Sequence, residues 1–127
     1  FEEEICDYLA AHGWVYDRHY RGYDQSLALV PDDVFAWLRR TQPEQWEKVV
    51  KPSMTLAEQE RAKQGILDRL AKELDQPLEH GGGILAVLRG GFKRTPAKFA
   101  MCAFKPATSL NPTAQRNYEA NILRVMR

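Results

Sequence analysis

The residues most able to do chemistry in this 127-residue chain fall into three small groups. His80-Gly81-Gly82-Gly83 is the first, because glycine-rich backbone ahead of a helix can aim N–H groups at a phosphate or an oxyanion. A phosphate loop would follow its glycines with Lys and Ser or Thr, and an esterase would carry a Gly-x-Ser-x-Gly elbow. Neither is present, which favours a plain turn between helices. Asp17, His19 and Asp24 are the second group, a set that could bind a hard or borderline metal but that any polar loop also supplies. The third is basic: Arg89, Lys93, Arg94, Lys98 and Lys105 surround Phe92 and Phe99, a mixture suited to the backbone of a nucleic acid and equally to a solvated face. Metal-dependent DNA cleavage commonly needs an Asp and then Asp/Glu-x-Lys on adjacent strands, where carboxylates hold Mg²⁺ and the lysine positions water. No Asp-x-Lys or Glu-x-Lys occurs anywhere in the chain.

The remaining conspicuous residues read as structural. His12 sits at a helix end, where a cation suits the dipole. Cys102 packs as a small hydrophobe, and Trp14, Trp37 and Trp46 read as core anchors rather than base-stacking platforms.

The elements that must position these groups are mostly helical. Phe1, Ile5, Tyr8 and Leu9 fall on one face of a first helix that opens with three glutamates and ends at Gly13. Trp14-Val15-Tyr16 is apolar and β-prone, and Asp17 to Gln25 is a polar loop whose conformation cannot be read. Pro31 opens a helix with Val34, Trp37 and Leu38 inward, and Pro43 a shorter one carrying Trp46, Val49 and Val50. Thr55-Leu56-Ala57-Glu58 has capping-box spacing and begins a helix running to about Asp75. Its apolar stripe, Ile66, Leu67, Leu70 and Leu74, occupies only the second half, so its first turns are expected in solvent. Ile84 to Leu88 reads as a short buried helix, with a strand as the alternative. Lys98 to Phe104 is apolar on both faces, as for an interior strand. Asn111-Pro112 starts a helix to about Asn121, and Ile122 to Arg127 reads as a second strand.

Composition bounds the class. Apolar residues make up 44% and charged residues 28%, an ordinary globular balance. No run approaches the roughly 18 to 20 apolar residues of a membrane span, and the opening lacks the features of a signal peptide. Two distant cysteines favour a reducing, cytoplasmic setting. Both ends look cut from a larger protein, since the chain opens on Phe1 and stops inside an apolar and basic run. Net charge is +1, yet residues 1–64 carry 12 acids and 8 bases, and residues 65–127 carry 5 and 10. That asymmetry fits a polyanion partner, or else an acidic surface of the same protein that the basic residues meet.

A resemblance then adds what spacing could not. Glu79-His80-Gly81-Gly82-Gly83, Val87 to Lys93, Phe99 to Pro106, Leu110-Asn111-Pro112, and Tyr118 with Asn121 to Arg127 closely resemble the amino-terminal region of the R (restriction) subunit of type I restriction-modification enzymes. Phe1 to Cys6, Leu9, Gly13-Trp14, Tyr16, Leu29, Asp33-Val34 and Ala36 to Leu38 also fit that subunit, while Lys51 to Lys63 matches least well. The resemblance implies an α+β, mostly helical fold: a helical subdomain over residues 1–80, then, over 81–127, a basic segment with the first strands of a restriction-endonuclease-like α/β core. It implies a parent subunit that binds ATP and Mg²⁺, translocates duplex DNA and cuts it, in complex with methyltransferase and specificity subunits. Of the nuclease site only a first-helix glutamate, Glu2, is a candidate here, and a favourable helix N-terminal charge is the better account of it. Arg89, Lys93, Arg94, Lys98 and Lys105 are the expected DNA-contacting residues, and no cofactor is expected on this stretch itself.

Overall fold

A computed structural model describes residues 1–127. Six helices and four short strands follow in the order α1 (Glu2–Ala11), β1 (Val15–Asp17), α2 (Pro31–Thr41), α3 (Pro43–Val49), α4 (Leu56–Leu74), α5 (Ile84–Gly90), β2 (Phe92–Arg94), β3 (Ala97–Phe99), α6 (Pro112–Glu119) and β4 (Arg124–Met126). A single turn of 3₁₀ helix, Leu78–His80, lies between α4 and α5. The class is α+β, dominated by helix.

Local chemistry sets most helix starts. Proline at the first helical position opens α2, α3 and α6, where its missing N–H costs nothing. The Thr55 hydroxyl accepts the Glu58 amide at 3.2 Å and donates to the Glu58 carboxylate at 3.2 Å, a capping pair for α4. Asn111 Oδ1 accepts the amides of Thr113 and Ala114, both at 3.1 Å, and so fixes the first turn of α6.

One cluster of thirteen buried side chains, from Val34 to Ala120, holds the molecule together. Val34, Trp37 and Leu38 of α2, Trp46 of α3, and Ile66, Leu67 and Leu70 of α4 meet Val87 of α5 and Phe92, Ala97 and Phe99 of the β2–β3 hairpin. Phe92 faces Phe99 across the hairpin with ring centroids 5.5 Å apart. The hairpin can lie so close to α5 because residue 91 is glycine: a Cβ there would sit 1.9 Å from the Phe99 carbonyl oxygen, and its φ of +71° suits glycine alone.

Several expectations change. The face of α1 formed by Phe1, Ile5 and Tyr8 is exposed, Phe1 at 93%, and the buried residue is Cys6. α1 rests mainly on β1 and β4, a strip two strands wide that can cover only one line of side chains. α5 forms as a helix, but only Val87 of it is buried, with Ile84, Leu85 and Leu88 exposed. The start of α4 does lie largely in solvent as expected, Leu56 at 81% exposure, with local contacts where Gln59 Nε2 donates to the carbonyls of Lys51 and Met54 and Lys63 lies over the Phe35 ring at 5.7 Å.

The expected strand over Lys98 to Phe104 ends at Phe99. Beyond it, backbone groups pair with side-chain amides instead of another strand. The Ala100 amide donates to Gln42 Oε1 at 2.7 Å while Gln42 Nε2 returns a bond to the Ala100 carbonyl at 2.9 Å. Asn121 grips Ala103 in the same two-point way, at 3.0 and 2.7 Å. Sheet also begins earlier than the pattern implied: β1 pairs in parallel with β4, Val15 facing Arg124 and Asp17 facing Met126, so a strand from the first twenty residues joins one from the last four.

Candidate nucleic-acid interface

The five basic residues singled out from the sequence are all exposed, and the hairpin determines how they are presented. Register places Lys93 directly opposite Lys98. The Lys98 amide points away from β2 and donates to Gln45 Oε1 at 3.0 Å. Lys93 and Lys98 therefore form the kind of facing pair that exchanges no hydrogen bonds, in which side chains stand closest. Their neighbours Phe92 and Phe99 go to the core, so both ammonium groups leave from the outer face.

Arg94 belongs to the other face of the ribbon. It stands opposite the buried Ala97, and its guanidinium lies over Gly65 of α4, where an added Cβ would come within 2.5 Å of its Nη2. Arg89 occupies the last turn of α5, and Lys105 the segment after β3. Those two segments meet where the Cys102 thiol donates to the Leu88 carbonyl at 3.3 Å. Burial pushes the Cys102 thiol above its usual pKa, so it stays protonated. Between them is an apolar groove of about 410 Å³ whose walls include Trp37, Leu88, Met101, Phe104 and Ile122. The structure thus brings Lys93 and Lys98 together, sets Arg89 and Lys105 on adjoining segments, and turns Arg94 toward α4.

None of the five makes an ion pair, which separates them from Arg69, Arg124 and Arg127 of the second half. Arg124 forms two hydrogen bonds to Asp33, at 2.6 and 2.9 Å, and stands 3.7 Å from Asp17. Arg127 reaches Glu2 at 3.4 Å and Glu3 at 3.6 Å. Part of the charge asymmetry is thus answered inside the chain, by acids of the first half, while the hairpin and its flanks keep their charge unmatched.

The other candidates find ordinary partners. Glu2 is paired with Arg127 on an exposed surface, beside Glu3 on the same guanidinium, and belongs to no cluster of three or more metal-ligating side chains. Asp17 is buried and accepts the His19 amide at 2.9 Å through Oδ1. Asp24 accepts the Ser26 hydroxyl at 2.6 Å and the Leu27 amide at 3.1 Å, bonds that hold its carboxyl below the usual range. Asp17, His19 and Asp24 do not converge. His80-Gly81-Gly82-Gly83 is a tight turn at the end of α4: Gly83 donates to the Glu73 carbonyl at 3.0 Å, and a Cβ on Gly82 would run into Gln76. No helix is long and apolar enough to cross a membrane.

Sequence reasoning missed Gln42, Gln45 and Asn121, the three amides that hold the hairpin and the segment after it. Nothing in their spacing marks them, because each bonds to backbone 18 to 58 residues away. No family model, no curated protein and no solved structure matches the chain.

Proposed function

We propose that this chain contacts duplex DNA through its basic hairpin and serves as an amino-terminal part of a type I restriction enzyme R subunit, supporting a nuclease whose Asp…Glu-x-Lys residues lie on other sequence. The observation that carries the DNA reading is the facing pair Lys93 and Lys98, two like charges placed side by side with no acid within reach. Such an arrangement costs the free protein stability, and a polyanion is the partner that relieves it. Contacts of this kind go to phosphates and carry no sequence preference. The family assignment rests on the resemblance of the motifs from Glu79 to Arg127 and of the first helix. A restriction-endonuclease-like core belongs to the same proposal, as do a cytoplasmic setting and assembly with methyltransferase and specificity subunits. Mg²⁺ and ATP would act elsewhere in such a subunit, since Glu2, the one nuclease-site candidate here, pairs with Arg127 at 3.4 Å.

Anisotropy of a labelled duplex, followed from about 50 to 200 mM salt, tests the DNA reading. Four phosphate contacts, from Arg89, Lys93, Lys98 and Lys105, imply a log–log slope of about −3.6 and hence a loss of roughly 150-fold over that range. No binding at low salt would refute it.

A second reading, an interaction module that docks on motor or methyltransferase domains, is favoured by the apolar groove between Leu88 and Phe104, with Arg89 and Lys105 beside it. Charge reversal at Lys93 and Arg94 separates the two. Assembly lost with DNA affinity kept supports docking, and the opposite result supports DNA contact.

A further inference from the structure

A second cationic feature lies outside the hairpin, at the corner between α2 and α3. Arg40 and Arg116 line one open pocket of about 350 Å³ together with Thr41, Thr113, Asn117 and Glu119. Neither arginine is ion-paired. Arg116 gives one bond, to the Thr113 hydroxyl at 3.3 Å, and its remaining N–H groups have no partner in the chain. Thr41 is already occupied, donating to the Trp37 carbonyl at 2.7 Å and accepting from Gln42. Glu119, the single acid in the wall, accepts the Gln115 amide at 3.0 Å and reaches neither guanidinium within ion-pair distance. The half-buried Asn117 amide makes no side-chain hydrogen bond. The pocket therefore offers two guanidinium forks and the Asn117 carboxamide, whose NH2 can donate, beside one carboxylate, around a volume that accommodates a tetrahedral oxyanion.

We propose that Arg40 and Arg116 form a phosphate-binding pocket, with Asn117 as a third donor. Guanidinium forks match phosphate oxygens in geometry as well as charge, and two of them facing one concavity select a group able to accept from both. The phosphate has two possible sources, a DNA backbone or a free phosphate ester. The first source rests on the DNA reading above, because Gln42, the residue after Thr41, holds Ala100 at the end of β3 and so joins this corner to the hairpin. The pocket itself does not depend on that reading.

Arginine Nε–Hε resonances of the whole chain, titrated with inorganic phosphate, provide the test. Arg40 and Arg116 should shift saturably while Arg61, exposed on α4, barely moves. Arg40→Gln and Arg116→Gln should each weaken phosphate binding about tenfold. Both arginines are exposed, so an unchanged melting temperature verifies that the variants fold. If the phosphate is that of DNA, each variant also lowers the salt slope of duplex binding by about 1. Saturable phosphate binding with an unchanged DNA slope assigns the pocket to a phosphate ester. Linear shifts equal to those of Arg61, or variants that bind phosphate as the parent does, overturn the pocket. Failure of the chain to bind DNA while phosphate still saturates refutes the DNA reading and leaves the pocket standing.

Discussion

Reversing the charge at Lys93 should make the protein more stable and a poorer DNA binder at once. Lys93 and Lys98 face each other across the hairpin, so Lys93→Glu turns a like-charge pair into an opposite-charge pair. Cross-strand pairs of opposite charge contribute roughly 0.2 to 1 kcal/mol, and the outward exposure of both side chains keeps the gain near the middle of that range, about 0.5 kcal/mol. For a chain of this length that is a rise in Tm of about 2 °C. Binding moves the other way. The new carboxylate removes one phosphate contact and occupies Lys98, so about two of four contacts are lost and the salt slope falls from about −3.6 to about −1.8. With affinities converging near 1 M salt, the difference at 0.1 M is about 60-fold, or roughly 2.4 kcal/mol. Thermal melts and duplex anisotropy on the same preparation measure both. Lys93→Gln should lose only about eightfold at 0.1 M salt. The pair Lys93→Glu with Lys98→Glu should restore the repulsion and return the stability gain. Weaker binding accompanied by a lower Tm would mean damage to the fold and would refute the reasoning, as would a stabilised variant that binds DNA undiminished.

Two further outcomes follow from the partnered charges. Arg124→Gln should cost about 2 to 3 kcal/mol in urea unfolding followed by tryptophan fluorescence. The variant loses two charge-assisted bonds to Asp33 and leaves buried Asp17 without its positive neighbour, a penalty reduced from the fully buried case because Arg124 and Asp33 are 22% and 25% exposed. A cycle with Asp33→Asn that proved additive within about 0.5 kcal/mol would show that the pair does not couple. Asp24 has its carboxyl held low by Ser26 first and the Leu27 amide second, so its contribution is present above the ordinary value of about 3.9 and is lost as pH falls through the lower folded value. Ser26→Ala should move the Asp24 carboxyl ¹³C midpoint up toward the ordinary value, and an unmoved midpoint would exclude the hydroxyl as the cause.

What could be read from the chain was what depends on neighbours in sequence. Pro31, Pro43, Thr55 and Asn111 mark helix starts because each satisfies or removes a local amide, and the inward faces of α2 and α4 follow from helical spacing. The pairing of β1 with β4 could not be read, since three-residue strands more than a hundred residues apart leave no periodic trace. The same holds for the end of β3, where the apolar pattern runs on to Phe104 but Gln42 and Asn121 take the backbone groups. On α1 the apolar stripe was real, yet the sheet beneath it is too narrow to cover it. The basic cluster was legible as composition. Its division, with Lys93 and Lys98 on one face and Arg94 on the other, depended on register that composition does not contain.

The amides of Gln42 and Gln45 have a consequence for how this surface can meet anything else. By taking the outward amide of Lys98 and both backbone groups of Ala100, they occupy most of the hairpin's β3 edge. An extended chain arriving there would find few open backbone groups to extend, so strand addition is disfavoured at that edge. A partner that approaches from this side meets side chains first, and the pair that projects from the ribbon's outer face is Lys93 and Lys98.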